Sequence, residues 1–467
     1  MNLKERNIRL YNALYLYTTE TFGILKQKSE NDSSSMTLVS KWIKGSKNNE
    51  FIKLDEQVPD YIYLLFISLI KNEHPIYQSV EEEFLKDNIW SQNHNKLIGS
   101  VIAGHQSLRL TGTLFDIVKY CLVNSNNFVL STNDFDEIVN QYEKYFLDTK
   151  IEYVRKVPLY GINIDENINI SVNANGGFSI EVLSDSEIIE LIELGLVTNN
   201  LPLLQNNVVN DPPRVALVYK LKADKTILEI DNPDNNNLLS DYQNITNDWS
   251  NKQTMAASLL TILLEKSVTP VCSIERTSNS PVSSFICQSF QVPVSLRIGK
   301  EILTKDSANY FVALWEVLHK TQTSELKVIK SLKIAIRRFS LALSKSSLDD
   351  KLIDLMICAE AIFLQDGNAE LGFKLAYRAA LFLSKDSSEQ KEMFEFFKTA
   401  YNERSKVVHG SASYEQGVKP KVDISVLENN LQKAISMMLN LAVNPKTIRH
   451  INNWEDLMFP NYSKTNA

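Results

Sequence analysis

The 467-residue chain contains no apolar run approaching the roughly 20 residues that a membrane-spanning helix needs. Its strongest candidate, Tyr61 to Ile70 (YIYLLFISLI), is too short and is flanked by charge. The first residues, MNLKERNIRL, lack the apolar core of a secretory signal, so the expectation is a cytoplasmic protein with no membrane partner. Four cysteines, Cys121, Cys272, Cys287 and Cys358, lie far apart with no CxxC pair. That pattern argues against a zinc site and reads as structural thiols in a reducing compartment. His74, His94, His105, His319 and His450 show no HExxH or paired spacing and read as structural or surface residues. There is no P-loop and no internal repeat, and Gly176-Gly177 is a turn signal rather than a phosphate cradle. No metal or cofactor is expected.

A chain of this length exceeds one compact core and predicts two or three domains. An apolar fraction of 44% with 22% charged residues is ordinary for a folded soluble chain. The formal net charge of −7 is unfavourable for a nucleic-acid binder, but it is unevenly distributed. Residues 325–467 hold 20 Lys and Arg against 17 Asp and Glu, and the rest hold 29 against 39. The C-terminal part is therefore the one able to meet a polyanion.

The hydrophobic period divides the chain. Residues 1–150 read as mainly helical, with helices over Val58 to Asn72 and Asp134 to Leu147 and a polar loop at Ser29 to Ser35. Residues 1–28 fit helix or strand equally. Residues 151–303 read as α+β, a candidate sensor or regulatory domain. Ile168, Ile170 and Val172 alternate, and the alternation resumes at Phe178, Ile180 and Val182, which predicts a hairpin. Ser184 to Leu194 and Thr254 to Lys266 predict helices, and Arg214 to Leu221 a strand. Asp231 to Asn237 predicts a loop, and Val271 to Arg297 strand-like pieces around Pro281 and Pro293.

From 304 to 445 the pattern is helical, a bundle large enough for its own core, followed by a tail over 446–467. Ile329, Leu332, Ile336, Phe339 and Leu343 form a packing seam. Ser347-x-x-Asp350 opens the next helix. Another covers Ala369 to Ser384, and Ser387-x-x-Gln390 caps the one after it. Ile424, Leu427, Leu431, Ile435, Met438 and Ala442 mark the last. Lys327, Lys330, Lys333, Arg337 and Arg338 form a basic run, read as a solvated face or as a surface that tracks phosphates. Trp90, Trp249, Trp315 and Trp454 are isolated and read as core or docking residues. No strand carries the paired aromatics of an RNA-recognition sheet.

Three apolar stripes at i, i+4, i+7, i+11 are each interrupted by one charge. They are Ile353, Ile357, Glu360, Leu364; Leu371, Leu375, Arg378, Phe382; and Phe397, Tyr401, Arg404, Val408. A buried unpaired charge is costly, so these groups should pair or share a polar pocket. One reading is a structural ion-pair network. The other is a pocket whose net positive charge suits a phosphate.

The third stripe ends in Tyr401-Asn402-Glu403-Arg404-Ser405-Lys406-Val407-Val408-His409-Gly410. Cationic residues before a glycine are an ordinary helix ending. The functional reading is metal-independent phosphodiester chemistry, with which the lack of a two-metal nuclease's acidic cluster is consistent. RNA supplies its own 2′-hydroxyl nucleophile, His409 could move a proton near neutral pH, and Arg404 could stabilise phosphoryl charge. An i, i+5 pair lies about 140° apart on an ideal helix, so the two residues need a distorted helix end or a second copy to meet.

Arg404-x4-His409 resembles the Arg-x4–6-His signature of HEPN domains, and the sequence around it is closest to the ApeA-like branch. The resemblance covers Leu348 to Gly410 (DDKLIDLMICAEAIFL, ELGFKLAYRAALFL, FFKTAYNERSKVVHG) and extends more loosely over 325–445. It implies a C-terminal helical bundle that forms a homodimer with the motifs facing each other. It also implies an endoribonuclease acting as a toxin-like effector in bacterial anti-phage abortive infection. The implied catalytic residues are Arg404 and His409, with Glu360 orienting the arginines. Arg378, Lys406 and Ser405 are the implied substrate-binding residues. Ser405 departs from the Asn, Asp or His often found after the arginine. Residues 1–300 take the place of the region that would sense a phage-derived trigger. Because some HEPN domains are non-catalytic, a dimer that binds RNA or a protein partner is the alternative.

Overall fold

The computed structural model of the chain describes residues 2–31, 36–47, 50–59, 74–93, 96–100, 104–125, 128–164, 170–172, 177–196, 204–205, 208–229, 236–277, 285–290, 301–319, 326–364, 370–411, 414, 420–443 and 454. Fourteen helices are present among them, together with sheet that is antiparallel except for one two-stranded pair.

The N-terminal part opens with α1 (Leu3–Arg6), α2 (Ile8–Asn31), β1 (Met36–Lys44) and β2 (Glu50–Pro59). It continues with α3 (Tyr77–Lys86), α4 (Asn88–Gln92), β3 (Lys96–Ser100), β4 (Gly104–Leu108), α5 (Leu110–Asn124) and α6 (Thr132–Leu147). The expected helix over Asp134 to Leu147 is α6, capped by Ser131, whose side chain accepts from the Asp134 N–H at 3.4 Å. Residues 1–28, open between helix and strand, are helical, and α2 runs on through Ser29 to Asn31, where a loop was expected. Val58 and Pro59 close a strand instead of opening a helix, and the rest of that expected helix lies outside the described residues. The four strands of this region form two local hairpins, β1 with β2 and β3 with β4, where helix was expected.

One closed ionic cluster ties the N-terminal helices together. The Arg6 guanidinium meets Asp87 at 2.8 and 3.1 Å, and it also binds Glu143. Trp90 Nε1 donates to Glu143 at 2.7 Å, and Asn7 Nδ2 donates to Asp87 at 2.7 Å. Asp87 also caps α4 by accepting from the Ile89 and Trp90 N–H groups. Every charge here is answered, and Asp87 and Glu143 are nearly inaccessible.

The middle part begins with β5 (Lys150–Tyr160), β6 (Ile162–Ile164), β7 (Ile170–Val172), β8 (Phe178–Val182), α7 (Asp185–Glu193), β9 (Leu204–Gln205) and β10 (Val208–Asn210). It ends with β11 (Val215–Asp224), β12 (Thr226–Glu229), α8 (Asn236–Leu264), β13 (Thr269–Pro270), β14 (Cys272–Thr277), β15 (Phe285–Ser289) and β16 (Glu301–Leu303). The main sheet runs β15-β14-β5-β11-β8-β7, with β13 also on β5. The expected hairpin is present, with Ile170 opposite Ile180 and Val172 opposite Phe178, and Ile168 lies outside the described residues. β10 joins β2, and β12 joins β3, so the N-terminal and middle parts share two smaller sheets. β16 and β6 form the parallel pair. α8 begins well before Thr254 and takes in Asn236 and Asn237, where a loop was expected.

The C-terminal part is α9 (Lys305–His319), α10 (Lys327–Ser344), α11 (Leu348–Phe363), α12 (Leu371–Leu383), α13 (Ser387–Val408) and α14 (Ile424–Val443). Of the predicted seam on α10, Ile329, Leu332, Ile336 and Phe339 are buried and Leu343 packs against them. The cap of α13 is Asp386, not Ser387: its carboxylate accepts from the Ser388 and Glu389 N–H groups, the geometry a negative side chain favours at a helix N-terminus. The bundle does not enclose a separate core. One apolar cluster runs from Tyr153 and Tyr219 of the sheet through Trp249, Phe311 and Trp315 to Phe339, Phe363 and Phe397.

The Arg6 cluster generates a stability prediction. Arg6→Ala leaves two buried carboxylates without their cation and should cost about 3–5 kcal/mol, by the usual penalty for orphaning a buried ion. Urea unfolding of the variant against the parent chain measures it, and a change below about 1 kcal/mol would show that solvent already carries these charges.

Candidate functional site at the end of a bundle helix

The α13 stripe climbs out of the core as it nears its end. Phe397 is inaccessible, the Arg404 side chain is 24% exposed and Val408 is 51% exposed. Arg404 therefore stands at the rim, where an apolar helix face meets solvent. Its Nη2 lies 3.8 Å from Glu360 Oε1 on α11, the one carboxylate it meets. That distance is an ion pair without a short hydrogen bond. Arg404 Nε is buried and makes no hydrogen bond among the described residues. A guanidinium has five N–H donors, and among the described residues Arg404 makes only this one contact.

The helix then stops in a specific way. The Gly410 N–H bonds the Val407 carbonyl at 3.0 Å, and the Ser411 N–H bonds the Lys406 carbonyl at 2.9 Å. These paired bonds close the last turn and require a left-handed residue, which Gly410 supplies at φ +70. His409 is the terminal cap, with its N–H on the Ser405 carbonyl at 3.1 Å and its ring exposed. Arg404 and His409 are not bonded to each other. The ordinary helix ending and a presented histidine are thus the same structure.

Next to Arg404 sits a residue that the sequence reading passed over. Glu403 is 4% exposed. It accepts from Lys406 Nζ at 2.7 Å, from the Tyr414 hydroxyl and from the Lys421 N–H at 3.2 Å. Burial pushes its carboxyl upward, but these donors outweigh it and hold the pKa down at about 2, against the usual 4.5. The Tyr414 N–H in turn donates to Asp349 at the start of α11, at 2.9 Å. Glu403 thereby fixes the end of α13, the chain beyond it and α11. Phe396, Ala400, Glu403 and Val407 repeat the i, i+4, i+7, i+11 spacing that marks the other stripes, so the signal was present one residue away.

The remaining expected residues divide. Lys406 reaches Glu403 and has a half-exposed side chain. Ser405 is half-buried one residue beyond Arg404. Arg378 departs from expectation. It is 3% exposed, donates from Nη1 to the Phe363 carbonyl at 2.7 Å and lies 5.4 Å from the Trp454 ring. Those contacts place Arg378 inside the bundle at the end of α11, where a long arginine fills apolar space while its head finds a carbonyl. Glu360 pairs with Arg404 and not with Arg378.

Elsewhere, Trp90, Trp249, Trp315 and Trp454 are all buried. His74 stacks on Tyr17 at 4.0 Å, and burial pushes it down to about 4. His319 stacks on Trp315, and burial lowers it too. His94 and His450 lie outside the described residues, as does the side chain of His105. On α10, Arg338 of the basic run is tied to Asp354 at 2.8 Å. Cys121, Cys272 and Cys358 are buried free thiols. Among the described residues no group of side chains is arranged to hold a metal, and no helix is long and apolar enough to cross a membrane. Comparison with protein-family models, curated proteins and solved structures gives no match for this chain.

The Glu403 carboxyl sets a pH window. Its folded pKa lies below its unfolded one, so its contribution is fully present above about pH 4.5 and is lost as pH falls toward 2. Unfolding free energies across that range should fall less steeply for Glu403→Gln than for the parent chain. Parallel slopes would show that Glu403 is not held as an anion.

Proposed function

We propose that the chain is a metal-independent endoribonuclease of HEPN type whose site is the surface of Arg404, Glu360 and His409. The observation that carries this reading is Arg404: a guanidinium at the rim of the bundle, whose one carboxylate contact among the described residues stands off at 3.8 Å and whose Nε makes no hydrogen bond among them. A phosphate oxygen is the ligand such a fork accepts. His409 stands a turn away at the same helix end, and it is exposed.

The chemistry is transesterification followed by release. His409 takes the proton of the 2′-hydroxyl as the 2′-oxygen attacks the adjacent phosphorus. The P–O5′ bond breaks and the leaving 5′-oxygen takes a proton, which gives a 2′,3′-cyclic phosphate and a 5′-hydroxyl. Arg404 holds the non-bridging oxygens as charge develops on them. Glu360 holds Arg404 until a phosphate competes for it. Arg404 and His409 lie on different sides of one helix end, so a second copy facing the first completes the site with its equivalent histidine. The role proposed for the chain is an effector of anti-phage defence, with residues 1–300 restraining the bundle or receiving a trigger.

A second reading has one observation in its favour: among the described residues the His409 ring makes no hydrogen bond to orient it, which suits a dimer that binds RNA or a protein without cutting. A mixed RNA pool, incubated without divalent metal, separates the two. The parent chain should yield cyclic-phosphate ends, and His409→Ala and Arg404→Ala should each lose about 10²-fold or more in rate while keeping the parent's oligomeric state and melting curve. Cleavage that survives His409→Ala sinks the proposal. Salt-sensitive binding without product in all three proteins supports the second reading.

A further inference from the structure

A half-open cavity of 320 Å³ lies where α8, β13 and Phe290 of the middle part meet α10 of the bundle. Its size falls at the lower end of small-molecule sites, which run from roughly 300 to 1,000 Å³. It is remote in sequence from Arg404 and His409, and no charged side chain lines it among the described residues.

The polar groups of its wall have fixed roles. Ser250 Oγ donates to the Thr246 carbonyl at 2.9 Å, and Thr254 Oγ1 donates to the Ser250 carbonyl at 2.8 Å. Ser344 Oγ on α10 donates to the Leu341 carbonyl at 2.7 Å. Each hydroxyl has spent its one hydrogen on its own helix and offers only lone pairs elsewhere. Gln253 does the opposite. It is 6% exposed, and its Oε1 accepts from Nη2 of Arg155 at 3.3 Å. Because a guanidinium only donates, Arg155 fixes which end of the amide it meets, and leaves the Gln253 NH₂ as a donor beside the Ser267, Thr269 and Ser340 hydroxyls of the lining. Arg155 is itself 1% exposed and held by Glu275 at 3.4 Å, so this orientation is rigid. Phe290, Leu341 and Leu343 supply apolar surface beside these groups.

We propose that this cavity is a binding site for a neutral nucleoside. The fixed acceptors, with the Gln253 NH₂ and the uncommitted lining hydroxyls as donors, match a ligand with many O–H and N–H groups. Sugar hydroxyls meet the serine and threonine oxygens, and a base lies against Phe290 and the leucines. A phosphate brings only acceptors and negative charge and finds no cation here, so nucleotides are disfavoured. The site bridges α8 and α10, and α10 packs on α11, the helix that carries Glu360. The proposal does not depend on ribonuclease activity.

The test uses the full chain and four probes, adenosine, guanosine, cytidine and uridine, read by calorimetric titration. At least one should bind saturably at millimolar concentration or below, and its 5′-monophosphate at least tenfold more weakly. Ser344→Trp, which fills the cavity from α10, should abolish binding. Thr254→Val, which removes one acceptor at equal size, should weaken it about fivefold, the worth of one hydrogen bond near 1 kcal/mol. Arg404→Ala and His409→Ala should bind like the parent chain. Absence of saturable binding for all four nucleosides overturns the proposal, as does full affinity in a folded Ser344→Trp. If Ser344→Trp does not fold, Thr254→Val decides: unchanged affinity there overturns it too.

Discussion

The arrangement of this molecule's charged helix end depends on one buried carboxylate. Glu403 sits inside the bundle as an anion, which is tolerable only because three donors converge on it. Those donors come from its own last turn, from Tyr414 and from the main chain at Lys421. Satisfying Glu403 therefore means placing the chain after α13 against the start of α11, where Tyr414 also meets Asp349. Once that loop is placed, the closing turn at Gly410 has one position, and Arg404 and His409 are carried with it. The exposed residues take their geometry from the buried one beside them.

Two ionic constructions in the same chain make the contrast useful. Around Arg6, two carboxylates close on a single guanidinium, and an amide and an indole donate to those carboxylates in turn. Around Arg404, one carboxylate stands off at 3.8 Å and Nε has no hydrogen bond among the described residues. Both are part-buried arginines, so burial alone does not separate them. What separates them is completeness. A closed cluster has spent its hydrogen-bonding capacity on the fold, whereas an open one keeps capacity for something else. This distinction, more than the presence of charge in an apolar stripe, is what makes Arg404 a functional candidate and Arg378 a structural one.

Much of the bundle was legible because helix period is local. The α10 seam, the limits of α11, α12 and α14, and the stripes through Glu360 and Arg404 can all be read from spacing of three and four. The pairing of Glu360 with Arg404 followed from the cost of burying charge. Arg378 obeyed the same cost but met it with the Phe363 carbonyl, a partner no side-chain pattern reveals. Glu403 was missed because its stripe holds the small Ala400 and reads as a weaker face, although burial along it is deeper. The strands β1 to β4 were missed although they form two local hairpins; β2 and β3 each take a second partner, β10 and β12, more than a hundred residues away, and that half of their pairing leaves little trace in a local window.

The sequence reading also treated the bundle as self-sufficient, and the packing says otherwise. Trp249 of α8 and Trp315 of α9 lie between the main sheet and the seam of α10, within one uninterrupted apolar cluster. Packed interiors are close to solid, so a displacement of α8 has to be taken up by its neighbours or refused. α10 contacts α8 on one side and α11 on another, and α11 carries both Glu360 and the Asp349 that holds Tyr414. Glu360 is held by a loose contact, whereas Glu403 is locked by three donors. A small shift of α11 would therefore change the 3.8 Å pair long before it disturbed the helix end. The continuous core joins residues 151–303 to the helix that carries Glu360.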